Sequence, residues 1–340
     1  MTAHPLVLTR EQILGHRRSA GALDERLPRG AESLRAAAWA GLQDSMPRAA
    51  LVSIHARVAG TAPEAWEHPS LVQLWGPRFQ DYVVAAEDLA VFSLGRLPDD
   101  PSGLKRATET AERLHAFLDG RRMQYGAAGR AMGIHGNMLR YGAPTGRILI
   151  RWEGARAPIV WTVPQPDIDP FEARLELARR YLRILGPGTP AGLSKWAGIK
   201  DRRGQAAFDA LTPELTAVGT PIGDGWILTA DEASFRAGSR APAPARLLPS
   251  GDAYFLAWGA DRDLLVPDPA RRDLLWTSRV WPGALVVGGE IAGTWRRADA
   301  SLSIEPWRPL STTEREAVEA EAASLPLPGV QGLIRLRWDG

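Results

Sequence analysis

The 340-residue chain contains no cysteine, and of its 41 basic residues only Lys105, Lys195 and Lys200 are lysines. The lack of cysteine excludes disulfides, thiolate zinc sites and a thiol nucleophile, and it fits a reducing compartment. No apolar run reaches the roughly 18 residues of a spanning helix, so no membrane segment is expected. Met1 to Arg10 lacks the apolar stretch and small-residue cleavage site of a secretory leader. These absences predict a soluble, cytoplasmic protein. No histidine pair has metal-ligand spacing with an acid nearby, and glycine-rich pieces such as Gly186-Pro-Gly188 lack the phosphate-loop pattern. Neither a metal nor another cofactor is expected.

What is present is a chain long enough for two or three modules, with 45% hydrophobic residues to fill several cores. The net charge is only +2, yet almost all of the positive charge is arginine, which recognises phosphate in a planar, bidentate way. It is also unevenly spread. From Arg121 to Val163 there are seven arginines (Arg121, Arg122, Arg130, Arg140, Arg147, Arg151 and Arg156) and one acid, Glu153. Tyr125, Tyr141, Trp152 and Trp161 lie among them, a mixture that suits a nucleic-acid face. A solvated charged surface is the alternative.

The order of elements recurs, helices followed by a two-stranded hairpin. In the first copy, Thr9 and Gln12 read as a capping box for a helix to about Ala20. A second helix is expected from about Glu32 to Leu42, and a third from Pro47, with Leu51, Ile54 and Val58 on one face. Phe79–Ala85 and Leu89–Leu94, around Glu87-Asp88, read as its hairpin. After a linker at 97–103, Ser102 is expected to cap a helix to Leu118 with Leu104, Ala107, Ala111, Leu114 and Leu118 inward. Short helical pieces near 127–132 and 137–141 precede a hairpin, 146–152 with 158–163, whose tip is basic. The third copy has helices capped by Asp169 and Thr189, another over 202–211, and a hairpin of 215–218 with 226–229. This is the order of a winged helix. Beyond a boundary at Ala241-Pro-Ala-Pro244, short strands are expected at 254–258, 284–287, 290–295 and 301–305, then an acidic helix at 312–323 and a last strand at 333–338. The predicted class is α+β: three tandem winged-helix modules (1–96, 102–164 and 167–240) followed by a small antiparallel β-barrel (245–340).

Several stretches resemble the AlkZ/YcaQ family of bacterial winged-helix DNA glycosylases. They are Tyr181-Leu-Arg-Ile-Leu-Gly-Pro-Gly-Thr-Pro190 with Trp196, Arg246-Leu-Leu-Pro-Ser-Gly-Asp252, Asp261-Arg262 with Leu265-Val-Pro267, and Gly288-Gly-Glu-Ile-Ala-Gly-Thr-Trp-Arg296. Gly41-Leu-Gln43 and Pro47, with Arg57 beyond, sit where that family has its catalytic Gln-x-Gln or Gln-x-Asp segment. The resemblance implies a monomer that holds duplex DNA, excises N7-alkylated purines, bulky adducts and crosslinks included, and needs no cofactor. It also implies a cytoplasmic, nucleoid-associated role in repair or in self-resistance to an alkylating agent.

Carried over by position, Gln43 matches the first catalytic residue. Ser45 stands where the family has Gln or Asp, and Asp44 replaces an apolar residue. Excision of a cationic base has an oxocarbenium-like transition state, which calls for a placed water and polar or negative partners rather than a strong base. Gln43 can orient water, Ser45 can hold one, and Asp44 can supply charge. Asp44 and Ser45 equally suit capping of the following helix. His55 reads as a packed residue, and His135 as either a DNA contact or a turn residue. Expected DNA contacts are Arg121, Arg122, His135, Arg140, Arg147, Arg151 and Arg156. The same pattern also fits a DNA-binding protein without catalysis, a lesion binder or a regulator.

Overall fold

The structure, a computed structural model, describes residues 6–46, 48–154, 156–238, 243–330 and 334–339. Strand β1 (Leu6–Val7) leads into helix α1 (Arg10–Ala20), which starts with the expected capping box of Thr9 and Gln12. Helix α2 (Ala31–Ala37) stops five residues before its predicted end. The chain turns at Gly41, φ +74°, where a Cβ would lie 2.6 Å from the Phe92 ring. Only glycine suits both the dihedral and the space. Strand β2 (Leu42–Gln43) follows, then α3 (Ala49–Arg57), in which Leu51 and Ile54 are buried. Pro47 lies outside the described residues.

The first hairpin is not the one expected. Strand β3 (Leu71–Trp75) pairs antiparallel with β4 (Asp81–Ala85), and the supposed second strand, 89–94, begins with helix α4 (Leu89–Ser93). A short, fully apolar run carries no period to separate a buried strand from a buried helix. Helix α5 (Pro101–Leu118) is capped by Asp100, whose side chain accepts from the Gly103 N–H, and not by Ser102. Its Ala107, Ala111, Leu114 and Leu118 are buried as expected, whereas Leu104 is exposed. Strand β5 (Met123–Gln124), helix α6 (Tyr125–Ala131) and a 3-10 segment (Gly136–Thr145) precede the hairpin β6 (Ile148–Arg151) and β7 (Ile159–Thr162). Its basic tip includes Ala155, which lies outside the described residues. The two hairpins share one six-stranded sheet, β2-β4-β3-β6-β7-β5, joined where Gln73 faces Ile150.

Helices α7 (Pro170–Leu185) and α8 (Pro190–Ala197) carry the predicted caps, Asp169 and Thr189, and α9 (Asp201–Leu211) follows. Strands β8 (Leu215–Thr220) and β9 (Gly223–Leu228) form the third hairpin, with helix α10 (Glu232–Ala237) after it. Strand β1 lies parallel to β8, Leu6 opposite Val218, so the start of the chain completes this sheet. Tyr181, Trp196 and Leu182 join Tyr82, Leu74 and Phe92 in one buried cluster, which fixes the third hairpin unit to the first. Each such side chain contributes about 1.5–3 kcal/mol of burial free energy.

Of the predicted boundary at 241–244, Ala241 and Pro242 lie outside the described residues. The C-terminal region has β10 (Arg246–Leu248), helices α11 (Ala260–Leu265) and α12 (Pro269–Leu275), strands β11 (Gly283–Val287), β12 (Glu290–Ala298) and β13 (Ser301–Pro306), helix α13 (Thr312–Ala323) and β14 (Arg335–Trp338). The predicted strand at 254–258 is instead a 3-10 turn, Ala253–Phe255, capped by Asp252. The predicted antiparallel barrel is also corrected. Among the described residues the five strands form an open sheet, β10-β11-β12-β13-β14, whose last pair is parallel. Helix α13 is the reason: it carries the chain back across the sheet, and a helical crossover delivers a parallel strand.

Candidate active site and nucleic-acid interface

The candidate catalytic segment is held by the first sheet. Gln43 lies opposite Tyr82 in the β2–β4 register, and the Asp44 N–H donates to the Asp81 carbonyl at 2.7 Å. Side chains alternate along a strand, so Gln43 and Asp44 point to opposite faces. The Gln43 Oε1 accepts from Arg78 Nη2 at 2.7 Å and from the Tyr82 hydroxyl at 3.4 Å. Arg78 sits in the β3–β4 turn, where Arg78 and Phe79 both have positive φ (56° and 59°). Its guanidinium also donates to the Trp196 carbonyl and lies 4.6 Å from the centre of the Trp258 ring. The Gln43 Nε2 lies against Gly251, where a Cβ would come within 2.8 Å of it. The amide is therefore fixed, half-buried, with its oxygen occupied and its N–H side toward the Gly251 loop.

Asp44 is 1% exposed. One carboxylate oxygen accepts from the Ala50 N–H at 3.0 Å, which is the expected capping role at the start of α3. The other accepts from Gln73 Nε2 at 3.1 Å, and the Gln73 Oε1 accepts from the Trp152 N–H at 2.7 Å. Arg48 donates to the Trp152 carbonyl at 3.1 Å and stacks 3.8 Å over Trp66. Asp44 thus ties α3 to the base of the basic hairpin. Burial pushes its carboxyl up to about 7, against the Ala50 N–H and the Arg48 charge, and nearby Asp81 adds to the rise. Asp81 is itself pushed up to about 6 by burial, opposed by Arg140. Ser45 donates to Gln80 Oε1 at 3.0 Å. The three residues named from the sequence are consecutive but do not converge: each has separate partners.

Arg57 and Asp252 form a buried ion pair, with Nη1 to Oδ2 at 2.7 Å and Nη2 to Oδ1 at 2.8 Å. Ser53 Oγ and the Tyr254 N–H complete the carboxylate's partners at 2.6 and 3.0 Å. The Arg246–Asp252 stretch therefore fastens α3 to the C-terminal region. His55 is packed, as expected. Its Nε2 lies 3.0 Å from Ser324 Oγ, and burial, with Arg26 and Arg246, pulls it down to about 3, so it stays neutral.

The candidate DNA contacts fall into two groups. Arg122, His135 and Arg156 are exposed, Arg122 lying 4.4 Å over the Trp161 ring. Arg121 is exposed too, but its guanidinium donates to the Leu118 and Phe117 carbonyls at the end of α5. His135 Nδ1 accepts from the Asn137 N–H at 3.2 Å, which is the turn role. Arg140 and Arg147 are half-buried, and Arg140 donates to the Phe79 carbonyl at 3.3 Å. Arg151 is held at 2.9 Å by both Glu67 and Glu153, so its charge is already countered. Sequence reasoning missed Arg78, Gln73 and Tyr82; no local pattern marks them, since they act through the sheet. Among the described residues there is no group of three metal-ligating side chains, and no helix is long and apolar enough to cross a membrane.

A family model described as DNA glycosylase AlkZ-like matches residues 36–326. No curated protein gives a match. Among solved structures, the Streptomyces sahachiroi DNA glycosylase AlkZ is similar, with a TM-score of 0.80 at 18% identity, covering 98% of this chain and 100% of that one.

Proposed function

Because the chain belongs to the AlkZ-like family of DNA glycosylases, we propose that it excises N7-alkylated purines from duplex DNA as a monofunctional, monomeric enzyme. Alkylation at N7 leaves the purine cationic, so it departs with the glycosidic electron pair as a neutral base. Water adds to C1′ and releases its proton to solvent, and no group needs to protonate the leaving base. The observation that carries this reading is the Gln43 amide, fixed by Arg78 and Tyr82 and half-exposed at the expected position. An amide held in this way can position a reactant without reorganising, rather than stabilise the positive charge that develops on the sugar. With its oxygen occupied, Gln43 would work through its N–H, holding water or a sugar oxygen.

The three hairpin units are read as winged-helix modules, with boundaries at 1–96, 102–164 and 167–240, ahead of the C-terminal sheet region at 245–340. Duplex DNA would lie along the surface that carries Arg122, His135 and Arg156, consistent with a role on the nucleoid. A second reading, a DNA binder without catalysis, is favoured by one feature: Ser45 is engaged by Gln80, and Asp44 faces away from Gln43. Incubation with duplexes carrying N7-methylguanine, N3-methyladenine or a bulky N7 adduct, then alkali to cleave abasic sites, separates the two. Strand cleavage at the lesion supports the glycosylase. Binding without cleavage on all three supports the second reading.

A further inference from the structure

A cavity of about 360 Å³ opens between the start of α3 and one end of the β11–β12 pair, where β11 begins and β12 runs out, in the C-terminal sheet. That volume lies within the range of small-ligand clefts. Met46, Val52, Trp281 and Trp295 supply its apolar walls, and Arg296 and Arg297 stand at its rim. The Trp295 ring is buried and held in place by a 2.8 Å hydrogen bond from Nε1 to the Leu248 carbonyl, whereas Trp281 is half-buried, packed against the core with the Arg262 guanidinium 5.5 Å from its ring centre. Both rim arginines are exposed, against one carboxylate, Asp299. The cavity adjoins the candidate catalytic strand from two directions. Met46 directly follows Ser45, and Ser250 of the lining precedes Gly251, the residue against which the Gln43 amide packs.

Indole walls and guanidinium groups at the mouth are complementary to a planar base that carries a phosphate. Aromatic faces stack on any base and attract a cationic one more strongly, while arginine pairs with phosphate. We propose that this cavity receives the alkylated purine nucleotide, its base against Trp281 and Trp295 and its phosphate at Arg296. The assignment rests on the glycosylase reading for the identity of the ligand, and on the cavity for its place. It separates two tasks: Gln43 acts at the sugar, and the cavity holds the base.

The test is quenching of intrinsic tryptophan fluorescence by 7-methylguanosine 5′-monophosphate, with guanosine 5′-monophosphate as the neutral-base control. Saturable quenching is expected, weaker for the control. Trp281→Phe should lower its amplitude, and Arg296→Ala should weaken binding and reduce its salt dependence. Ser250→Trp, at a half-buried loop position, should fill the cavity and weaken binding at least tenfold while the melting temperature stays near that of the wild type. Absence of saturable quenching, or quenching that none of the three variants alters, overturns the proposal. If the nucleotide binds as described and lesion duplexes are not cut, the glycosylase reading fails and the pocket stands. If the duplexes are cut at the wild-type rate by Ser250→Trp, the pocket fails and the glycosylase stands.

Discussion

Asp44 offers a prediction that reads its environment directly. Its carboxyl moves from an ordinary value of 3.8 in the unfolded chain to about 7 in the folded one. Between those values the folded protein binds the proton more tightly than the unfolded chain does. The stabilisation is therefore complete below about 4 and is lost as pH rises through 7. Each pH unit in this window corresponds to about 1.4 kcal/mol, so the whole span amounts to roughly 4 kcal/mol. Asp44→Asn removes this titration. The change also disturbs the bond from Gln73, but that cost does not depend on pH. Asp81 titrates in the same window and raises the Asp44 carboxyl, so the difference reports the coupled pair. Urea unfolding of both proteins at pH 5, 6, 7 and 8 should show the wild type losing ground against Asp44→Asn by about 1 kcal/mol per unit between pH 5 and 7, with the loss tapering off above pH 7. Parallel stability curves across that range would show instead that Asp44 is ionised throughout.

The Arg57–Asp252 pair should behave as a structural clamp. Asp252→Ala leaves a buried guanidinium without its partner and should cost about 3–5 kcal/mol in urea unfolding, where a loss below about 1 kcal/mol would contradict the reading. Arg156→Ala should weaken duplex binding across sequences and lower the slope of log K on log salt by about one. Arg151→Ala should change that slope less, because Glu67 and Glu153 already counter its charge; equal effects of the two variants would mean that DNA binding breaks the Arg151 ion pairs.

Elements specified by local chemistry were legible. Thr9 with Gln12, Asp169 and Thr189 each mark a helix start through a side-chain cap, and α13 falls at 312–323 as its acidic helical pattern predicts. Tertiary pairings were not. Nothing near Leu6 announces that it pairs with Val218, and the apolar run at 89–94 fits a strand until β3 supplies a better partner for β4. In the C-terminal region the strands at 284–287, 290–295 and 301–305 were legible, but 254–258 was not a strand, β10 was missed, and the sheet stays open. At the candidate site the sequence pointed to Gln43, Asp44 and Ser45 as candidates. It did not show that strand alternation sends Gln43 and Asp44 to opposite faces, because β2 was read as the end of a helix. Their partners lie far along the chain, Arg78 35 residues from Gln43 and Trp152 79 from Gln73, beyond the reach of any local signal.

In the proposed function Gln43 acts on the transition state of base excision. A group of this kind lowers the barrier without tightening the ground-state complex. The direct measurement is single-turnover excision from a duplex carrying one N7-methylguanine, alongside the affinity for the same duplex, for the wild type and Gln43→Ala. Unchanged affinity and a rate at least tenfold lower, about 1.4 kcal/mol of barrier or more, are expected for Gln43→Ala. Equal rates in the two proteins, or no excision by the wild type, would contradict that role.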